Sequence, residues 1–216
     1  MRAVAATYRA VIFDLGGVVF PSPLDAFRAY ERDHGLPDRF ISEVVLADPV
    51  DGAWSRLERG ELNLATFPAE FEAECHAAGG EVDASALMLG IGSGFAARPE
   101  MIRAIGAIRG RGLRTGALTN NWVADETRGN GASAPSVDGL FDVVVESAVV
   151  GLRKPDPRIY EMVCASLAIA PPEAVFLDDL GTNLKPARAM GMATIKVGDP
   201  HQALRELAAL LDIPLT

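Results

Sequence analysis

The sequence predicts an α/β fold with a parallel sheet and a helical insertion after the first strand. From Pro99 onward, short apolar runs alternate with amphipathic helical patterns, and this alternation is typical of βαβ units. Residues 22–98 instead show helical periodicity without a strand-like run. A chain of 216 residues is long enough for a core domain and a smaller inserted one. We therefore predict a core of residues 1–21 and 99–216 and a helical cap of residues 22–98.

The first strand ends in a polar group. The apolar run Val11-Ile12-Phe13 stops at Asp14, and Gly16 and Gly17 follow it closely. A short run of this kind is typical of a parallel strand that is buried on both faces. In open α/β sheets, ligands bind at the carboxyl ends of the strands. The two glycines would let the backbone approach such a ligand, because they carry no Cβ.

Four further strands are predicted at 113–118, 141–145, 174–177 and 192–197. Right-handed crossovers place the carboxyl ends of all parallel strands at one edge of the sheet. This edge would collect several polar residues: Asp14, Thr119, Asn120, Asp178 and Asp179. Lys154 follows the third of the five predicted strands. The segment 125–139 is rich in glycine and small polar residues, which indicates a loop.

The composition of the chain restricts the classes of partner and the cellular compartment that we expect. The net charge of -9 argues against nucleic acid and against anionic membranes as partners. No window approaches the length of about 20 apolar residues that a membrane span needs. Cys75 and Cys164 are the only cysteines, which favours free thiols in a reducing compartment over a disulfide scaffold. We therefore expect a cytoplasmic protein.

The polar residues at the predicted edge suit phosphoryl transfer. Asp14 and Asp179 offer the oxygen ligands that Mg²⁺ prefers, and a carboxylate can attack a phosphoryl group. Lys154 would neutralise charge on the transferring group. Each residue also has an ordinary interpretation on its own: Lys154 as a solvated loop lysine, Asn183 as a helix N-cap, and Asp178-Asp179 as a turn. Their joint occurrence at strand ends favours a site.

Four segments carry a resemblance to a known family. They are Phe-Asp-Leu-Gly-Gly-Val, Leu-Thr-Asn-Asn, Arg-Lys-Pro-Asp-Pro-Arg-Ile-Tyr and Phe-Leu-Asp-Asp-Leu-Gly-Thr-Asn-Leu-Lys, which begin at residues 13, 118, 153 and 176. The chain resembles the haloacid dehalogenase (HAD) superfamily. It is particularly similar to the HAD domains of soluble epoxide hydrolases and of acyl-CoA dehydrogenase fusion proteins. The resemblance implies a Rossmann-like core and a cap inserted after the first strand.

The resemblance also implies roles for individual residues. Asp14 would be the nucleophile, and Asp14, Asp179 and the carbonyl of Gly16 would bind Mg²⁺. Lys154 would act as the cationic anchor and Asp178 would support catalysis. Asn183 would hydrogen-bond within the fourth motif. The substrate-binding residues would be Thr119, Asn120, Lys154, Gly16 and Gly17.

Position 16 departs from the usual pattern. HAD phosphatases usually carry an aspartate there that protonates the leaving oxygen, and Gly16 has no side chain for this work. We expect a Mg²⁺-dependent phosphatase of a small phosphorylated metabolite with a weakened acid step. The alternatives are a 2-haloacid dehalogenase and a catalytically weak phosphometabolite-binding or interaction module. The chain would be a monomer or a homodimer.

Overall fold

The computed structural model describes residues 8–93, 96–123, 137 and 139–215. A five-stranded, all-parallel sheet forms its centre, in the order β3-β2-β1-β4-β5. The strands are β1 (Ala10–Phe13), β2 (Arg114–Thr119), β3 (Val143–Glu146), β4 (Ala174–Asp178) and β5 (Ala193–Lys196). The predicted α/β class and parallel sheet are therefore confirmed.

Ten α-helices lie within the described residues. Six of them lie between β1 and β2, and the first five form the insertion: α1 (Pro23–His34), α2 (Phe40–Ala47), α3 (Ala53–Glu58), α4 (Phe67–Ala77) and α5 (Ala84–Ser93). The others follow: α6 (Pro99–Gly110), α7 (Ser147–Val150), α8 (Pro157–Ser166), α9 (Gly181–Ala189) and α10 (Pro200–Leu211). No helix in the described part of the chain is long and apolar enough to cross a membrane.

The central strand β1 sets the position of Asp14. All four residues of β1 are buried, because it has a neighbouring strand on each side and helices above and below the sheet. Phe13 pairs with Ala117 on β2 and with Leu177 on β4. The N–H of Asp14 continues this ladder by donating to the Leu177 carbonyl at 2.8 Å. Asp14 therefore stands at the carboxyl edge, between the ends of β2 and β4.

The five inserted helices bury an apolar cluster of their own. Its centre is aromatic: Trp54 packs edge-on to Phe27 and Phe67, with ring centroids 5.1 and 5.7 Å away, and Phe67 stacks on Phe71. Trp122, which follows β2, also packs against this cluster. The helical insertion after the first strand is confirmed. Its division from the core at residues 22 and 98 stays a prediction.

Several elements differ from the sequence-based expectation. The helices α3, α5 and α7 were not predicted. The helices α3 and α7 are only six and four residues long. In α5 the buried residues Ala84, Leu87 and Ile91 do not stand out in the sequence, because exposed positions such as Leu89 are apolar as well. The helix α9 begins at Gly181 rather than near Asn183. Asn183 thus lies inside the helix, and its interpretation as an N-cap is wrong. The predicted loop 125–139 lies outside the described residues except for Val137 and Gly139.

Candidate active site

Lys154 joins two of the predicted carboxylates. Its ammonium Nζ lies 2.8 Å from Asp14 Oδ2 and 2.8 Å from Asp178 Oδ2. The lysine is 1% exposed and Asp178 is 0% exposed, so the interpretation of Lys154 as a solvated loop residue is wrong. The N–H of Leu15 donates to the other oxygen of Asp14 at 2.7 Å. Asp14 thus has a fixed orientation at the end of β1.

The start of α9 holds Asp178 in place. The N–H of Leu180 donates to Asp178 Oδ1 at 2.8 Å, and the amide Nδ2 of Asn183 lies 3.1 Å from both carboxylate oxygens. The carbonyl of Asn183 accepts a hydrogen bond from the Tyr160 hydroxyl at 2.7 Å. Asn183 therefore makes the hydrogen bonds within the fourth motif that the resemblance implies, and its role in function stays a prediction.

Asp179 lies against the glycine loop and the beginning of the helical insertion. The hydroxyl of Ser22, the N-cap residue of α1, donates to Asp179 Oδ2 at 3.2 Å. Gly17 has a φ of +78°, and a Cβ at this position would stand 2.1 Å from Asp179 Oδ2. Only glycine leaves room for the carboxylate here. The geometry of this corner depends on Gly17 having no side chain.

Burial and charge shift the pKa values in this cluster. Burial raises the pKa of Asp14 well above its usual range, and Asp178 and Asp179 raise it further while Lys154 opposes the shift. Burial and the charge of Asp178 also raise the pKa of Asp179. Burial would lower the pKa of Lys154, but Asp14 and Asp178 outweigh it and the net shift is upward. One ammonium is thus shared among three carboxyl groups that repel one another.

The donor set fits a divalent cation. One carboxylate oxygen from each of Asp14, Asp178 and Asp179 lies within 4.8 Å of the others. Opposite ligands of an octahedral Mg²⁺ are about 4.2 Å apart, since each bond is about 2.1 Å long. A cation between these oxygens would also offset the negative charge that raises the pKa values of Asp14 and Asp179. Asp178 is the least available of the three, because Leu180, Asn183 and Lys154 together make four hydrogen bonds to its two oxygens.

Thr119 and Asn120 lie at the end of β2, next to Asp14. Thr119 is buried and is the last residue of its strand. The side chain of Asn120 is turned toward the chain of Lys154: its Oδ1 accepts from the Lys154 N–H at 2.8 Å, and its Nδ2 donates to the Lys154 carbonyl at 3.1 Å. The Asn120 side chain thus clamps the backbone of the lysine. Its predicted contact with substrate stays a prediction.

The glycine loop is held from its other side by Arg98. The guanidinium Nη1 of Arg98 donates to the carbonyls of Gly17 and Val18, both at 2.7 Å. Gly16 forms an isolated bridge with Phe20, and a Cβ at Gly16 would stand 3.2 Å from Cδ of Pro23. The φ of Gly16 lies outside the left-handed region. The backbone at position 16 can therefore carry a side chain, although this chain has none.

Three residues with contacts at the site were not predicted from the sequence. Glu58 on α3 and Arg153, beside Lys154, form an ion pair with Glu58 Oε2 2.7 Å from Arg153 Nε. Ser22 touches Asp179. The sequence shows Glu58 and Ser22 only as polar residues in a helical segment, and Arg153 only as the residue before the lysine, so no periodicity or spacing marked their contacts.

The chain is similar in sequence to several known proteins. The chain is 41% identical to acyl-CoA dehydrogenase family member 10 of Mus musculus, over 97% of the chain and 20% of that protein. It is 34% identical to bifunctional epoxide hydrolase 2 of Sus scrofa, over 96% of the chain and 39% of that protein. The chain thus spans less than half the length of these two relatives. It is 30% identical to phosphatase MT3486 of Mycobacterium tuberculosis, over 94% of the chain and 96% of that protein.

Solved structures show the same fold. A predicted HAD-like family hydrolase from Porphyromonas gingivalis superposes with a TM-score of 0.69 at 22% identity, covering 95% of this chain and 98% of that one. A HAD family enzyme from Bacteroides thetaiotaomicron, in complex with magnesium and inorganic phosphate, gives a TM-score of 0.58 at 21% identity, covering 89% and 96%. A family model described as haloacid dehalogenase-like hydrolase matches residues 8–191. The chain therefore belongs to the haloacid dehalogenase-like hydrolases.

Proposed function

We propose that this hydrolase is a Mg²⁺-dependent phosphatase of a small phosphorylated metabolite, with Asp14 as its nucleophile. The observation that carries the proposal is the buried Asp14 carboxylate, paired with Lys154 at 2.8 Å and grouped with Asp178 and Asp179. The similarity to phosphatase MT3486 along almost its whole length supports the same reaction class. The net charge of -9 is consistent with a small substrate rather than a nucleic acid or a membrane.

In the proposed reaction, a carboxylate oxygen of Asp14 attacks phosphorus and forms an aspartyl-phosphate. The bond between phosphorus and the leaving oxygen breaks, and the leaving group takes its electron pair. Water then attacks the same phosphorus, which restores the Asp14 carboxylate and releases inorganic phosphate. Lys154 stabilises negative charge on the phosphoryl oxygens and opposes the rise that burial causes in the pKa of Asp14, which favours the ionised nucleophile.

Mg²⁺, where bound, would supply positive charge that neutralises the phosphoryl group and orients it toward Asp14. We assign its ligands to Asp14, Asp179 and the carbonyl of Gly16. The Thr119 hydroxyl and the backbone after β2 would hold the remaining phosphoryl oxygens. The inserted helices would act as the cap that selects the substrate. We propose that this cap comprises residues 22–98 and that the chain is a monomer or a homodimer.

The weakened general-acid step predicts a preference for substrates with good leaving groups. With Gly16 in place of a carboxyl side chain, no group at this position can protonate a leaving oxygen, and such protonation typically contributes about 10²–10⁴-fold. The enzyme should therefore act on aryl and acyl phosphates, whose leaving groups are stable anions, much faster than on sugar phosphates. This feature also supports the second candidate, a phosphometabolite-binding module with little turnover.

The deciding experiment measures phosphate release from p-nitrophenyl phosphate by the purified chain, with Mg²⁺ and with a chelator. We expect turnover that requires Mg²⁺ and that is lost in Asp14→Asn, which keeps the shape but removes the nucleophile. Asp179→Asn should bind Mg²⁺ more weakly than the parent by calorimetry. Equal turnover with the chelator would contradict the proposal. Halide release from a 2-haloacid without Mg²⁺ would instead identify a dehalogenase.

A further inference from the structure

A buried glutamate of the inserted helices reaches the core domain beside Lys154. Glu58, the last residue of α3, is 8% exposed. Its Oε1 accepts from the indole Nε1 of Trp54 at 2.9 Å. Its Oε2 accepts from Nε of Arg153 at 2.7 Å and from Nδ2 of Asn120 at 3.2 Å. The carboxylate thus receives three hydrogen bonds, two of them from segments that follow β2 and β3.

Both core partners of Glu58 are tied directly to Lys154. Asn120 hydrogen-bonds the N–H and the carbonyl of Lys154 at 2.8 and 3.1 Å. Arg153 precedes Lys154 in the chain, and its Nη1 donates to the Pro49 carbonyl and to the Ser55 hydroxyl, both at 3.0 Å. The Arg153 guanidinium thus hydrogen-bonds Glu58, Pro49 and Ser55, which all belong to the inserted segment.

These hydrogen bonds fix the position of the Lys154 backbone. The Nζ of Lys154 must lie 2.8 Å from both Asp14 and Asp178, and a flexible lysine stem reaches such a point only if its backbone is fixed. Asn120 supplies that fixation. The Asn120 Nδ2 group in turn donates a charge-assisted hydrogen bond to the buried Glu58 carboxylate at 3.2 Å, which adds a further restraint on the orientation of the amide.

We propose that Glu58 is a positioning residue for Lys154, acting through Asn120 and Arg153. The proposal extends the proposed function, since it assigns Lys154 a role in the reaction. It also implies that the inserted helices and the anchor lysine are placed together: when α3 sits against the core, the Lys154 backbone is held in its working position. We call Glu58, Arg153, Asn120 and Lys154 the Glu58 network.

The first test measures the network without any turnover. In Glu58→Gln, the negative charge is removed and one carboxylate oxygen is replaced by an NH2 donor. The new side chain therefore cannot accept from Trp54 on one side and from Arg153 and Asn120 on the other, and the charge-assisted contacts to Arg153 and Asn120 are weakened. We expect the Lys154 amide to exchange its hydrogen at least about tenfold faster, since local opening governs exchange. The matched control is Glu70→Gln, which removes an ion pair with Arg56 inside the inserted segment. It should leave exchange at Lys154 unchanged.

If Glu58→Gln does not fold, Arg153→Lys tests the same ion pair from the core side and should give the same faster exchange. Unchanged exchange at Lys154 in the folded variant would overturn the proposal. This result does not depend on phosphatase activity, so it remains decisive if the parent protein proves inactive and the proposed function fails.

The second test separates positioning from simple stabilisation. Misplacing a catalytic group by about 1 Å typically costs about 10²-fold in rate. We therefore expect kcat for p-nitrophenyl phosphate to fall about 10–100-fold in Glu58→Gln, with KM changing less, at a temperature where circular dichroism shows the variant folded. Glu70→Gln should keep the parent kcat. A parent-like kcat in folded Glu58→Gln would show that Glu58 does not position Lys154 for the reaction and would overturn the proposal.

Discussion

Replacing Gly17 with alanine should remove the Mg²⁺ site while leaving the fold intact. A Cβ at Gly17 would stand 2.1 Å from Oδ2 and 2.3 Å from Cγ of Asp179, whereas ordinary contact begins at 3.4 Å. The Asp179 carboxylate therefore has to withdraw from its position. Mg²⁺ requires ligands at about 2.0–2.1 Å in near-ideal octahedral geometry, so a displaced Asp179 cannot remain a ligand.

Gly17→Ala should change two free energies, that of folding and that of Mg²⁺ binding. An alanine at a φ of +78° costs about 1–2 kcal/mol of folding free energy, because left-handed backbone is strained for residues with a Cβ. Loss of a ligand should weaken Mg²⁺ binding by about 100-fold, the upper end of the effect of disturbing groups that orient ligands. At a Mg²⁺ concentration of about 100 times the parent Kd, binding adds about 2.7 kcal/mol to the parent and about 0.4 kcal/mol to the variant.

Gly112 provides the matched control. Its φ is +80°, and a Cβ there would meet nothing within 4 Å, so Gly112→Ala carries the same backbone strain without the collision. Calorimetric titration with Mg²⁺ and denaturant unfolding with and without Mg²⁺ measure both free energies. We expect both variants to lose similar stability without metal and only Gly17→Ala to lose the Mg²⁺-dependent gain. Parent-like Mg²⁺ affinity in folded Gly17→Ala would refute the assignment of Asp179 as a ligand.

Three other predictions follow from the described residues. Gly16→Asp should fold with a small shift of Pro23, whose Cδ lies 3.2 Å from the new Cβ, and should speed alkyl phosphate hydrolysis by up to about 10²-fold; a parent that already hydrolyses alkyl and aryl phosphates equally fast would contradict this. Burial raises the pKa of Asp142, but the hydrogen bonds from Thr115 and the charge and hydrogen bond of Arg109 together outweigh it, so the net shift of the pKa is downward. This stabilisation is present above about pH 3.9 and is lost as pH falls through the folded pKa. Asp142→Asn should therefore lower the free energy of unfolding by about 1–2 kcal/mol at neutral pH. Urea unfolding should show that the difference in stability between parent and variant shrinks in acid. A difference that is independent of pH would exclude the ionised carboxylate as its source. Burial raises the pKa of Cys75 to about 12 and that of Cys164 to about 11, so neither thiol should react with an aromatic disulfide reagent at pH 8 until the protein is unfolded, and rapid labelling of the native protein would show that they are accessible.

The sequence predicted the sheet and its polar edge because both depend on local patterns and a general rule of topology. Short apolar runs define the strands, and parallel connection brings their carboxyl ends together. Asp14, Thr119 and Asp178 could therefore be placed next to one another without coordinates. Lys154 lies in a loop, so the joint pattern of motifs rather than its own surroundings indicated that it joins them.

The contacts between the inserted helices and the core could not be predicted in this way. Glu58 is separated by 62 residues from Asn120 and by 95 residues from Arg153, and no periodicity relates residues so far apart. Their pairing depends on how α3 packs against the loops after β2 and β3. Likewise, the close approach of Gly17 to Asp179 is visible only in three dimensions. The sequence by itself determined which chemical groups meet at the sheet edge, whereas tertiary packing decided what holds them in position, because that packing joins segments through side chains whose partners lie on other elements.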